Sequence, residues 1–422
     1  MIPELRQAWN AAFTAARYAA LQRWLDEESG TAIPFRICET PIFLPPAVAA
    51  DLESAAAQIV TALTSPAYLR AAARAVPPAW QVPGEDAHST FLQVDLALAV
   101  DPRGEQPAVP RLIELQGFPS LYGFQWLLDR GYRRFFDVPP GLTPYFGGLD
   151  EAAYVECLRQ TIVGDADPAT VVLLEIEPER QKTRVDFLVT ERLLGVPAVG
   201  LDEVVVRGRQ ALYRDRNGRE VPIRRIYNRV IFDELERRGM ELPPLFRADL
   251  DLAWVGHPNW YWKLSKFSLP FIQSPYAPAC HFLSDLREIP ADLENYVLKP
   301  LFSFAGHGVE VDVTADRLRA IDRPEDYLLQ RRIGYAPAIA TPDEPAKAEV
   351  RMMFVWGDRP RLINNLVRVT KGRMVGVDFN KDRTWVGSSV ALHAAPRGTE
   401  PASGAGWPRG GAPGSAQSLG RR

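Results

Sequence analysis

The run VVLLEIE (171–177), followed by TRVDFLVTERLLG (183–195) and then VPAVGL, constrains the fold more than any other stretch. Seven mainly apolar residues make a buried strand. The next segment has helical periodicity and stops at Gly195, a residue suited to a helix C-terminus. A new strand begins directly after it. Strand, helix and strand in that order form a βαβ unit and predict a parallel sheet.

The flanking regions read differently. Residues 1–89 are helix-rich, with periodic segments at Glu4–Glu28 and Ala47–Val76 separated by a proline-rich turn. FLQVDLALAV (91–100) and RLIELQ (111–116) are strands joined by the turn-forming DPRGEQPAVP, so a hairpin is expected, with a helix near Leu121–Arg134. Asn217-Gly218 marks a second hairpin. DYLLQRRI (326–333), EVRMMFVWG (349–357) and RLINNLVRVTKGRMVGVDF (361–379) read as an antiparallel meander. The chain divides into a helical region (1–89), a strand and helix core (90–165), a parallel βαβ lobe (166–250), an antiparallel lobe (251–394) and a tail (395–422). The tail is rich in Gly, Pro, Ser and Ala, a composition that predicts disorder. The fold class expected is a multi-lobe mixture of α/β and α+β.

Composition narrows the function. A formal net charge of -3 argues against a nucleic-acid surface built on bulk positive charge. Cys38, Cys157 and Cys280 are far apart and form no CxxC, which fits a reducing cytoplasm and speaks against a disulfide framework or zinc site. No apolar run is long enough to span a membrane, and the N-terminus reads as an amphipathic helix rather than a signal peptide.

The chemistry concentrates in ENYVLKPLFSFAGHGVEVDV (294–313). Lys299 closes an apolar run, and a small-residue loop with Ser303, Gly306, His307 and Gly308 follows. Glycines let backbone N–H groups converge on a phosphate, and a lysine adds a point charge. A strand-end lysine is also commonly solvated, so the residue alone does not decide. Lys266, in an aromatic-rich segment with Lys263 as its local competitor, is either a stacked structural lysine or a second phosphate contact. Gln330 ends the strand YLLQ, where an adenine edge is often read; an exposed glutamine is the plain alternative.

Asp95, Glu114 and Gln116 sit on the two hairpin strands, and period-2 geometry puts Glu114 and Gln116 on one face. A carboxylate inside an apolar strand is costly unless paired or metal-bound. Together they are a candidate Mg²⁺ set, since Mg²⁺ takes a carboxylate or two plus substrate phosphates. Asp378 and Asn380 form a rival set, although Asn-Lys-Asp also reads as a turn.

In their order these motifs resemble the ATP-grasp superfamily, in the circularly permuted branch that includes eukaryotic glutathione synthetase and glutathionylspermidine synthetase. QVDLALAVDPRGEQPAVPRLIELQGFPSLYGF is similar to that branch's early Asp strand and Glu-x-Asn strand, with Gln116 in place of Asn. Ser265-Lys266, Lys299-Pro300 through Gly308, Gln330, and Arg368 or Arg351 follow in the matching order. One departure stands out: the branch's glycine loop carries a metal-binding glutamate, and LFSFAGHGV has no acid.

The resemblance implies ATP and Mg²⁺ as cofactors and an amide-forming ligase that joins a small-molecule or peptide carboxylate to an amine through an acyl phosphate. It implies Mg²⁺ on Asp95, Glu114 and Gln116, phosphates on Lys266, Lys299 and the loop, and Arg368 or Arg351 stabilising the transferred group. Arg180, Arg184, Tyr227 and Arg229 are candidates for the substrate carboxylate. A non-catalytic nucleotide-binding or scaffold protein and a different ATP-dependent phosphotransferase remain open beside the ligase.

Overall fold

A computed structural model describes residues 1–303, 306–372, 375, 380 and 382–395. At its centre is a five-stranded antiparallel sheet. Its strand order is Gly387–Ser389, Pro360–Thr370, Lys347–Trp356, Phe91–Ala99 and Val109–Gln116. The hairpin of residues 91–116 forms as the sequence predicts, but it is completed by strands some 250 residues later (Arg351 lies opposite Asp95).

Alternation along Phe91–Ala99 divides the sheet into two faces. Leu92, Val94, Leu96 and Leu98 point into a core shared with Leu52, Ala55, Ala56 and Ile59 of helix Pro46–Leu63. Gln93 and Asp95 therefore point to the other face. That face is partly covered by helix Tyr122–Phe135, which fills the position expected for a helix near residues 121–134.

The βαβ unit forms as the sequence predicts. Val171–Glu175 pairs in parallel with Ala198–Gly200, and helix Arg184–Leu194 lies between them in the chain. Gly195 ends that helix at φ +72°. Arg225–Asn228 and Ala253–Val255 extend the sheet, also in parallel. The Asn217-Gly218 hairpin joins Gln210–Arg214 to Glu220–Pro222, with Gly218 at φ +76°.

Three expectations change. The early helical periods are each broken: Thr14 caps a new helix at Ala15–Ser29, and Ser65-Pro66 starts another after Leu63. The C-terminal meander is not one unit. Tyr327–Arg331 leaves it and pairs with Cys280–Phe282 and Tyr296–Pro300 in a separate antiparallel sheet. Period-2 patterning fixes which face a strand buries, not which strand lies beside it. Beyond Gly308, Glu310 forms an isolated bridge with Leu298. The N-terminal segment also joins the end of the described chain, since Ile42–Phe43 pairs in parallel with Ala391–Ala394. The expected tail lies outside the described residues from 396 onward.

Candidate functional site

Strand register assembles a polar face on the central sheet. Asp95 lies between Glu114 and Arg351, Gln93 lies opposite Gln116, and Glu349 lies opposite Arg368. A β-bulge interrupts the hairpin: the register steps from Asp95–Glu114 to Leu96–Leu112 and leaves Ile113 without a partner. The freed Ile113 carbonyl accepts a hydrogen bond from Lys299 Nζ at 3.1 Å. Gln330 Nε2 makes long contacts to the Leu112 and Ile113 carbonyls at 3.4 and 3.5 Å. The bulge thus docks the three-stranded sheet onto the central one.

Lys266 reaches the same place from the start of the Lys266–Phe271 turn, where Ser265 accepts from the Phe267 N–H at 3.2 Å. Its Nζ donates to the Ser303 carbonyl and lies 3.8 Å from Glu114 Oε2. Lys263, its competitor, turns away to Glu85 and the Trp260 ring. A small cleft opens here, lined by Glu114, Gln116, Tyr261, Lys266, Phe302 and Ser303. Burial pushes the Lys299 amine below its ordinary value; Glu114 opposes this and Lys266 reinforces it.

Ser303 lines this cleft, and Gly306, His307 and Gly308 are exposed. Gly308 has φ +69°, and a Cβ there would lie 2.8 Å from Pro300 Cγ, so glycine is required. Gly117 is equally constrained. A Cβ would lie 2.4 Å from the Trp260 carbonyl oxygen and 2.6 Å from Leu264 Cβ. Gly117→Ala is expected to cost about 1–3 kcal/mol in urea unfolding. A loss under about 0.5 kcal/mol would mean that this loop yields freely.

The acids divide. Asp95 is fully buried and both its oxygens are occupied. Arg351 grips it with Nε at 2.6 Å and Nη2 at 2.7 Å, and Arg368 Nη2 donates to Oδ2. Burial alone would raise the Asp95 carboxyl, but Arg351 and then Arg368 outweigh it and hold the carboxyl down to about 2. Arg368 also pairs with Glu349 Oε2 at 3.1 Å, and Tyr335 donates to Glu349 Oε1.

Only part of the expected magnesium set fits such an ion. Glu114 borders the cleft, and the buried Gln116 Oε1 has no hydrogen-bond partner. These are hard oxygens of the kind that Mg²⁺ takes beside phosphate. Asp95 does not fit, because guanidinium groups hold its oxygens. Asn380 does not fit either. Its Oδ1 accepts from Thr370 Oγ1, the Lys371 N–H and the Gly372 N–H at 3.1, 3.1 and 3.3 Å, which locks the turn after the strand. Asp378 lies outside the described residues. Among the described residues no three His, Cys, Asp or Glu side chains gather as metal ligands would.

A second polar site lies at the C-terminal edge of the parallel sheet, where open α/β sheets commonly bind ligands. Arg229 is buried. Its Nη2 donates to Thr183 Oγ1 at 3.3 Å, while Nε and Nη1 have no partner. The buried Tyr227 hydroxyl is also unpartnered. Burial pushes the Glu175 carboxyl up to about 8 despite the opposing pull of Arg229. Arg180 and Arg184 instead form ion pairs with Glu177 at 3.1 Å and Glu179 at 2.5 Å. Asp186 ties this region to the loop after Gln116, accepting from the Leu121 and Phe124 N–H groups at 3.0 and 2.9 Å.

Sequence reasoning missed Glu175, Asp186, Glu349 and Tyr335. For Glu175 the signal was present: a carboxylate in the apolar run VVLLEIE raises the same question as Glu114 in LIELQ.

Among the described residues no helix is long and apolar enough to cross a membrane. No family model matches the chain, and no curated protein matches it. Among solved structures, the chain is similar to a glutathione synthetase-like effector from Globodera pallida, solved in its apo form. The two share 10% sequence identity at a TM-score of 0.54, and the match covers 90% of this chain and 96% of the other. The likeness is one of fold, a mixed α/β architecture.

Proposed function

We propose that the chain binds ATP at the cleft that the end of Val109–Gln116 forms with Tyr261, Lys266, Phe302 and Ser303, and uses it to join a carboxylic acid to an amine. The observation that carries this reading is the approach of Lys266 and Lys299, from separate segments, to Glu114 at one seam. In the protein as it stands, each ammonium donates to a backbone carbonyl, Ser303 or Ile113. A polyphosphate is a stronger acceptor than either carbonyl and would replace it.

The chemistry is phosphoryl transfer followed by amide formation. A carboxylate oxygen of the acid attacks the γ-phosphorus, and the bond to the bridging oxygen breaks to release ADP. The amine then attacks the acyl carbon, loses a proton and expels phosphate. The lysines hold the phosphates, and Arg368 faces the charge that develops on the transferred group. Arg229, with two unspent N–H donors, is suited to a carboxylate of the acid. Mg²⁺ held by Glu114 and Gln116 would neutralise phosphate charge.

A second reading, a nucleotide-binding protein without turnover, is favoured by one feature: residues 301–309 carry no acid. ADP formation that requires both an added acid and an added amine distinguishes the ligase. Nucleotide binding without turnover indicates the second reading.

Thermal unfolding tests the shared premise. Mg²⁺-ATP at a hundredfold excess over Kd is expected to stabilise the wild type by about 2.7 kcal/mol. Mg²⁺ alone and Mg²⁺-GTP should do less, and Lys299→Ala should abolish the effect. No shift at millimolar ATP would reject both readings.

A further inference from the structure

We propose that Asp95 is a positioning residue rather than a metal ligand, and that with Glu349 and Tyr335 it fixes Arg368 toward the nucleotide cleft. The geometry forms a continuous chain. Tyr335 donates to one oxygen of Glu349, and the other oxygen meets Arg368. Arg368 then shares Asp95 with Arg351.

The two arginines have different tasks. Arg351 is buried and commits Nε and Nη2 to Asp95 in a planar fork, so it anchors the carboxylate. Arg368 keeps 32% of its side chain exposed, and its Nε has no partner. It is held by two carboxylates from neighbouring strands, a restraint that leaves little freedom of orientation. A cation fixed in this way needs little reorganisation when an anion arrives.

Asp95 cannot serve a metal without expelling a guanidinium from both of its oxygens, and the acid beside it on the next strand, Glu349, is already held by Arg368 and Tyr335. Glu114 has no such commitment: its nearest cation, Lys266, is 3.8 Å away. The metal role and the orienting role therefore fall on different carboxylates, one strand apart.

The orienting role rests on the nucleotide reading, but the ion-pair chain does not, and the test separates them. ATP binding is measured by calorimetry with Mg²⁺ and with chelator, in wild type, Asp95→Asn, Tyr335→Phe and Glu114→Gln. Asp95→Asn and Tyr335→Phe are expected to weaken both forms of ATP equally, by about tenfold. Glu114→Gln should weaken mainly the Mg²⁺ form. A loss confined to the Mg²⁺ form in Asp95→Asn would make Asp95 a ligand and overturn the proposal, as would unchanged binding in Tyr335→Phe.

The second measurement needs no nucleotide and no Asp95 variant. In side-chain NMR of the wild type, the Arg351 Nε–H signal should exchange slowly and stay in place at millimolar Mg²⁺. Tyr335→Phe should shift the Arg368 signal and leave that of Arg351. A Mg²⁺-dependent release of Arg351, or an Arg368 signal indifferent to Tyr335→Phe, overturns the proposal whether or not ATP binds. Intact NMR signatures with no ATP binding to wild type would reject the nucleotide reading and the orienting role together, leaving the ion-pair chain alone.

Discussion

Asp95→Ala is expected to destabilise the protein by roughly 3–5 kcal/mol, the range for removing one partner of a buried ion pair. The loss comes less from the missing attraction than from what remains. Arg351 is left buried with a guanidinium that has given Nε and Nη2 to Asp95, and Arg368 keeps only Glu349. Urea unfolding at neutral pH measures the effect. A second variant checks the cause: Asp95→Leu combined with Arg351→Met removes both charges and should recover much of the loss, because well-packed apolar groups replace buried pairs at little cost.

The pH dependence has a definite sign. The folded carboxyl titrates near 2, below its unfolded value of about 3.9. Its contribution is present above the unfolded value and lost as pH falls through the folded one. Wild type and Asp95→Ala should therefore converge in acid, between about pH 4 and 2. A difference under about 1 kcal/mol at neutral pH would mean that the arginines are solvated and the triad is not a buried one.

Glu175→Gln should act in the opposite direction. The folded carboxyl is raised from 4.5 to about 8, so the native state holds its proton more tightly than the unfolded chain. Wild-type stability from this group is full below the unfolded value and declines as pH rises through about 8. The shift corresponds to as much as about 4–5 kcal/mol. Glutamine keeps an oxygen for the Ile176 N–H, which Glu175 Oε1 accepts at 2.8 Å, and removes the titration. The variant should match wild type near pH 4 and exceed it increasingly toward pH 9. Parallel stability profiles would show that the folded Glu175 carboxyl keeps its ordinary value. If Arg229 binds the acid substrate, the neutral carboxyl also leaves its charge unspent, and substrate affinity should fall in wild type above about pH 8.

Much of the local structure was legible. The βαβ unit, the Gly195 stop, the Asn217-Gly218 hairpin and the hairpin of residues 91–116 follow from periodicity and turn chemistry, which act over a few residues. The candidate site was legible in part. Lys266, Glu114 and Gln116 border one cleft and Lys299 lies near Glu114, whereas Arg180 and Arg184 pair with neighbouring glutamates.

Asp95 marks the boundary between the two kinds of information. An acid in an apolar strand must be paired, and the sequence by itself determined that much. A metal and an arginine satisfy the requirement equally well from the acid's side. Only the tertiary structure decided between them, by laying Lys347–Trp356 against Phe91–Ala99 in the register that sets Arg351 opposite Asp95. The same pairing took Tyr327–Arg331 out of the expected meander. Strand partners far apart in the chain are chosen by how whole sheets bury their faces, and a one-residue change of register would have pointed Arg351 away from Asp95.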